Sequence, residues 1–273
     1  VEGLAKAAAE AAGSRRPCEM AYCEAIVSGI ASNRRVPTGD GDKVTFRSSR
    51  PPAELREKPE GWIDPTLRMV LFRSKDDGTL VGLANYSCHP SVAGGDEGPY
   101  ATGDFPGAGL ALAEERIGGA RLLHLTGPCG EINPGKYVTS ESLAAKDRRK
   151  DVWLLGARYA DAILRAVSSA TGWHDPTDLV VAWACPLELT VSPTLPEEEQ
   201  LRRELEAAVE DYLQGGGARA AHGPIRRALY RYGRRLHIVG GRLQTTAAAA
   251  RLGDVVFTFM PSEVFLQTGE ELR

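Results

Sequence analysis

The run Met69-Val70-Leu71-Phe72, the charged turn Lys75-Asp76-Asp77-Gly78 and the segment Gly82-Leu83-Ala84-Asn85-Tyr86-Ser87-Cys88-His89-Pro90 decide the fold. Two apolar runs flank a glycine-containing turn, the pattern of a hairpin or adjacent sheet pair over residues 65–89. The second strand stops at a histidine, and Pro90 prevents it from continuing because proline cannot donate to a strand ladder. A small-residue loop follows from Ser91 to Gly95, then Thr102-Gly103-Asp104-Phe105-Pro106-Gly107. A histidine on a loop at a strand end, with Asp104 beyond it, can serve as a metal ligand or proton carrier. Taken alone, it reads more readily as a capping or core residue.

Outward from this hairpin, strand and helix signals alternate. Leu4 to Ala12 is Ala-rich and helical, ended by Gly13 to Pro17. Cys18 to Ser28 reads as a strand, Ser32 to Arg35 as a loop, and residues 37–63, rich in Pro, Gly and charge, as an irregular surface excursion. Phe105 to Arg116 has helical spacing with Asp104 at the N-cap position. Ala120 to Thr126 is a buried-type strand that enters the loop Gly127-Pro128-Cys129-Gly130-Glu131-Ile132-Asn133-Pro134-Gly135. Val152 to Ser168 is an amphipathic helix, and Leu179 to Leu189 a strand. Glu197 to Gln214 is an acidic helix closed by Gly215-Gly216-Gly217. The basic stretch after it carries Arg219, Arg226, Arg227, Arg231, Arg234, Arg235 and Arg242. Acidic and basic helices joined by glycine predict a self-pairing hairpin inserted over 195–242. Ala250 to Met260 reads as a strand that breaks at Pro261-Ser262-Glu263 before a last helix. The expected class is α/β, a layered mixed sheet flanked by helices, in a single domain over 1–273.

Composition narrows the function classes. The chain has 273 residues, 42% hydrophobic and 25% charged, the balance of an ordinary globular protein. A formal net charge of -3 gives no electrostatic reason to expect nucleic acid as a partner. No apolar run approaches the ~18 residues that a transmembrane helix needs. Five cysteines, odd in number and without a C-x-x-C pair, argue against a disulfide scaffold or a thiolate zinc site. The chain begins inside one helical pattern and stops inside another, so an internal piece of a longer protein is expected.

Three polar strand ends stand out: His89, the Gly130–Pro134 loop and Glu263. Ligands gather at strand ends in open α/β sheets, so the three are expected to converge. His and Glu are good zinc ligands, and zinc polarises carbonyls and activates water, which suits hydrolysis of an amide or ester. Each residue also has a plainer reading. Ser262-Glu263 can simply cap a helix, Asp104 can be an N-cap, and Asn133 can shape a turn before proline. His124, on the strand entering the Asn133 loop, lines the site or packs in the core.

In order, these segments resemble the catalytic domain of the neutral (non-lysosomal) ceramidases. Asn33-Arg34 is similar to the family's Asn-Arg pair after an early strand. Asp64-Pro65, the two apolar strands around Gly78, and His89-Pro90 resemble its next segment. Gly127 to Pro134 is similar to its loop ending in Ser/Asn-Pro, and Met260-Pro261-Ser262-Glu263 to its Pro-Gly-Glu turn. The resemblance implies a zinc amidase acting on an N-acylsphingosine-like lipid or a related small molecule, with His89 and Glu263 as zinc ligands. Further ligands would come from an upstream H-x-H motif and a downstream Tyr. It also implies that Asn133 and the Gly130 loop position the tetrahedral intermediate. Asn33, Arg34 and Asp104 would bind substrate or orient ligands. Two departures are visible: Asn133 stands where the family carries a serine implicated in catalysis, and Ser262 replaces the glycine of the turn. An amide is not a comparable nucleophile, though it can donate a hydrogen bond to an oxyanion or hold a water. Rival readings are a hydrolase of the same fold on another polar amide or ester, and a non-catalytic relative.

Overall fold

The computed structural model describes residues 2–40, 43–93, 101–145, 147–176, 180–190, 196–214 and 222–272. Gly94, Gly95, the Gly215–Gly217 connector and Arg219 lie outside the described residues. The chain groups into two units, one of Val1–Asp178 with Ser262–Arg273, the other of Leu179–Pro261. In chain order the first contains α1 (Glu2–Gly13), β1 (Cys18–Ile26), β2 (Ser32–Asn33), β3 (Arg35–Pro37), β4 (Val44–Phe46), α2 (Ala53–Glu57), β5 (Thr66–Ser74) and β6 (Leu80–Tyr86). It continues with α3 (Asp104–Ile117), β7 (Arg121–Thr126), β8 (Ile132–Asn133), α4 (Ser140–Ala145) and α5 (Arg149–Ser169). The second unit contains β9 (Val180–Thr190), α6 (Glu198–Gln214), α7 (His222–Leu236), β10 (Ile238–Val239), β11 (Arg242–Leu252) and β12 (Val255–Phe259). The last helix, α8 (Leu266–Glu271), belongs to the first unit.

The predicted hairpin forms the middle of a mixed sheet of order β1-β5-β6-β7. β5 pairs antiparallel with both β1 and β6, with Leu71 opposite Gly82. β6 and β7 run parallel, joined through α3, with Ala84 beside His124. Side chains alternate across the sheet, so Cys23, Leu67, Met69, Leu71, Ala84 and Tyr86 share one face. That face is buried in one apolar cluster with Phe105 of α3 and Leu155, Tyr159 and Ile163 of α5. Each leucine, isoleucine, methionine or phenylalanine side chain so removed from water contributes about 1.5–3 kcal/mol before entropy is set against it. α3 and α5 cross closely because glycine meets glycine: a Cβ on Gly109 would sit 2.8 Å from the Gly156 carbonyl oxygen. On the opposite sheet face Tyr22, Ile26, Val81 and Leu123 remain exposed.

The second unit is a sheet with a helical hairpin. β11 pairs antiparallel along its whole length with β9, Arg242 opposite Thr190 and Leu252 opposite Val180. The predicted acidic-to-basic pairing is present: Arg231 bonds Glu204 at 2.5 Å and Arg235 bonds Glu197 at 2.9 Å. Two expectations are corrected. Residues 250–260 do not form one strand, because Gly253 at φ +58 turns the chain and separates the end of β11 from β12. Ser32 to Arg35 is not a plain loop either. Ser32 and Asn33 pair with Asn133 and Ile132, and Arg35 pairs with Phe46.

Candidate functional site

His89 is placed by backbone hydrogen bonds on both sides. Its N–H donates to the Ile132 carbonyl at 3.1 Å, and its own carbonyl accepts the Ser91 N–H at 2.9 Å. Gly127 donates to the Tyr86 carbonyl at 3.0 Å, so the 127–133 loop runs along the end of β6 and past the histidine. Glu263 is placed by the same loop. Gly130 N–H donates to the Val264 carbonyl at 2.9 Å, and the Glu131 carboxylate accepts the Leu266 N–H, 3.1 Å away, at the start of α8. Gly130 must be a glycine for this approach, because a Cβ there would lie 2.4 Å from the Phe265 ring and 2.6 Å from the Glu263 carbonyl oxygen. Arg35 stacks on the other contact of that turn, its guanidinium 4.5 Å from the Phe265 ring centre.

The three expected strand ends therefore meet. His89 Nε2 lies 3.4 Å from Glu263 Oε2, the imidazole 22% exposed and the carboxylate 74% exposed. Two ligands 2.0–2.1 Å from a tetrahedral zinc are about 3.3 Å apart, so this N···O separation matches one edge of such a centre. The pair fits a zinc ion as two of its ligands. A four-coordinate site needs more, and among the described residues no group of three His, Cys, Asp or Glu side chains is arranged to hold a metal.

Around the pair, the other expected site residues are tied largely to backbone groups. Asp104 is buried, with φ +53, and its carboxylate accepts N–H bonds from Val92, Ala93 and Phe105 at 3.2, 2.7 and 2.8 Å. It clamps the loop after His89 onto α3, of which it is the first residue; the N-cap position falls on Gly103 and not on Asp104. Burial raises its pKa, against the three N–H donors that favour the anion. Asn133 is buried; its Nδ2 donates to the Arg47 carbonyl at 2.9 Å and its Oδ1 accepts the Gly135 N–H at 3.0 Å. Asn33 likewise donates to the Trp62 carbonyl and accepts from the Arg35 N–H. The N–H of Gly130, in the loop expected to position a tetrahedral intermediate, donates to the Val264 carbonyl. Arg34 N–H bonds the Glu131 carbonyl at 2.8 Å, while its side-chain Nε is buried and has no hydrogen-bond partner among the described residues.

His124 lies on the helix-covered face of the sheet, where Nδ1 meets the Tyr159 hydroxyl at 2.8 Å. Burial lowers its pKa from 6.5 to about 4, so it is neutral at ordinary pH and packs in the core. The Cys129 thiol is pushed to about 12 by burial, with Glu263 and Glu131 adding to the effect, which makes it a protonated filler. Two contributors were not singled out from the sequence. Glu131 anchors the α8 turn, and its second oxygen is buried with no hydrogen-bond partner among the described residues. Arg47, fully buried, gives its guanidinium to the carbonyls of Asn33, Leu55, Lys58 and Pro59, and its own carbonyl holds Asn133. Glu131 was visible inside the loop motif, but Arg47 lay in a stretch that reads as surface.

Solved structures share this architecture. The chain superposes on the neutral ceramidase from Pseudomonas aeruginosa with a TM-score of 0.63 at 12% identity, covering 100% of this chain and 44% of that one. The fold is ceramidase-like. A ceramidase complexed with C2 matches with a TM-score of 0.59, again at 12% identity, over 97% of this chain and 45% of that one. This chain thus spans less than half the length of either. No protein-family model and no curated protein matches the sequence.

Proposed function

We propose that this chain carries part of the active site of a zinc-dependent hydrolase that cleaves a C–N amide bond in an N-acylsphingosine-like substrate. The observation that carries the reading is the 3.4 Å approach of His89 to Glu263, two side chains remote in sequence and brought together at the ends of sheet strands. The ceramidase-like fold and the order of the sequence motifs support it. Zinc held there supplies Lewis-acid polarisation of the amide carbonyl and activation of water. His89 contributes an Nε2 lone pair and Glu263 a carboxylate oxygen. Glu131 and Gly130 fix the turn that aims Glu263, and Asp104 fixes the loop that follows His89. Asn133, both ends of its amide tied to backbone, keeps the loop in shape; it takes no nucleophilic role.

That tethering favours a second reading, a hydrolase of the same fold acting on another polar amide or ester. Elemental analysis and fatty-acid release from a short-chain ceramide separate the two in the full-length protein. The first reading expects about one zinc per chain, lost in His89→Ala, and amide cleavage abolished in Glu263→Gln. Glu131→Ala, which removes the acceptor of the Leu266 N–H under the turn that carries Glu263, is expected to lower zinc affinity. A zinc-loaded protein inactive on ceramide points to the second reading. A metal-free protein overturns both and leaves a non-catalytic relative.

A further inference from the structure

We propose that α7 is a lipid-contact helix, docking its outward side on an anionic membrane surface. Its sequence, His222 to Leu236, contains five arginines and no acidic residue. Its inward side is accounted for: Ala228 is buried, and Arg231 and Arg235 are paired with Glu204 and Glu197 of α6. The outward side is not. Leu229 and Leu236, seven residues apart and so on one stripe of the helix, are 55% and 54% exposed, and Tyr230 beside them is 65% exposed. Arg226 and Arg227 are exposed and form no ion pair among the described residues. Arg226 lies one turn from both Leu229 and Tyr230, so guanidinium groups border the apolar stripe.

An apolar stripe bordered by unpaired cations, on a helix of low overall hydrophobicity, suits the boundary between headgroups and acyl chains. Leucines and a tyrosine enter the outer acyl region, with the tyrosine hydroxyl kept at the headgroup level, while arginines meet lipid phosphates and carboxylates. The charge decides between occupants. A second copy of this helix would bring arginines against arginines, whereas an anionic bilayer complements them. The inference is independent of the metal site: it uses no residue of the His89 loop and holds whatever the substrate is.

The test is co-sedimentation of the whole protein with vesicles of phosphatidylcholine containing one third phosphatidylserine, compared with phosphatidylcholine alone. Binding is expected to the anionic vesicles and to weaken as salt is raised. Arg226→Ala with Arg227→Ala is expected to weaken it by about fivefold for each arginine. Leu229→Asp with Leu236→Asp is expected to abolish it while the circular dichroism spectrum and thermal midpoint stay unchanged, since both leucines are half exposed. Failure of the wild type to sediment, or equal sedimentation of the aspartate variant, overturns the proposal. So does sedimentation velocity showing a wild-type dimer that the aspartate variant breaks, with no vesicle binding. Zinc content measured in the same samples is expected to be equal in all variants, which keeps this outcome separate from the fate of the site reading.

Discussion

In the first unit Tyr86, Phe105, Leu155 and Tyr159 are fully buried in one cluster between a sheet and two helices. In the second, the buried apolar residues among those described are Leu201, Ala208 and Ala228, and the large side chains of its strands, Trp183, Val256 and Phe259, stay about half exposed. The first unit is held by apolar packing. The second relies on backbone ladders and ion pairs across a helical hairpin, contributions of about 1 kcal/mol or less apiece. The candidate site belongs to the first kind of construction, and this explains how an exposed carboxylate can be aimed: the tip of Glu263 meets only His89 and solvent among the described residues, but the backbone under it rests against a glycine and a buried glutamate.

The sharpest way to break this contrast is a pair of truncations followed by urea denaturation. Phe105→Ala, which empties a site against the Tyr159 ring, is expected to cost about 3–5 kcal/mol. Trp183→Ala is expected to cost under about 1 kcal/mol, as an exposed substitution does. Equal costs would mean that Trp183 is covered in solution and that the two units are built alike.

A smaller effect tests how rigidly the first unit aims Glu263. Gly130→Ala forces a methyl group into the Phe265 ring and the Glu263 carbonyl, at an expected cost of about 1–3 kcal/mol in thermal stability. Zinc affinity should fall with it, because the backbone carrying the carboxylate must move. Unchanged affinity would show that Glu263 is not held from below.

His124 gives the first unit a pH signature that the second should lack. Its folded pKa, about 4, is depressed below the ordinary 6.5. Between these values the unfolded chain binds the proton and the folded chain does not, so stability is lost as pH falls from 6.5 towards 4. Allowing for the ring's partial exposure, the loss is expected to be about 1–2 kcal/mol, and His124→Gln should flatten that part of the stability curve. A curve unchanged by the substitution would mean the imidazole is solvated.

The smallest effect lies in the hairpin. Arg231→Ala removes one exposed ion pair and is expected to change stability by under about 1 kcal/mol, less still at high salt.

How much was legible follows from which forces are local. The β5–β6 hairpin, α3, α5 and the paired acidic and basic helices announce themselves through periodicity and charge, and each formed within a few residues of expectation. The hairpin of β11 and β12 did not. Its Ala247–Ala250 stretch has none of the branched and aromatic residues that mark strands, and it is a strand by pairing with β9. The site divides in the same way. His89 and Glu263 were readable as polar side chains at strand ends, and they lie 3.4 Å apart. The roles of Asp104 as a loop clamp, Gly130 as a point of close approach and Arg47 as a hub depend on contacts between remote segments, which no local pattern encodes.

Arg47 shows what such a hub achieves. By collecting the carbonyls of Leu55, Lys58 and Pro59 on one guanidinium, it closes residues 47–59 into a ring much as a cystine bridge would. Unlike sulfur, this fastening needs no oxidising compartment. The excursion, and through the Arg47 carbonyl the posture of Asn133, should therefore survive in thiol reductants.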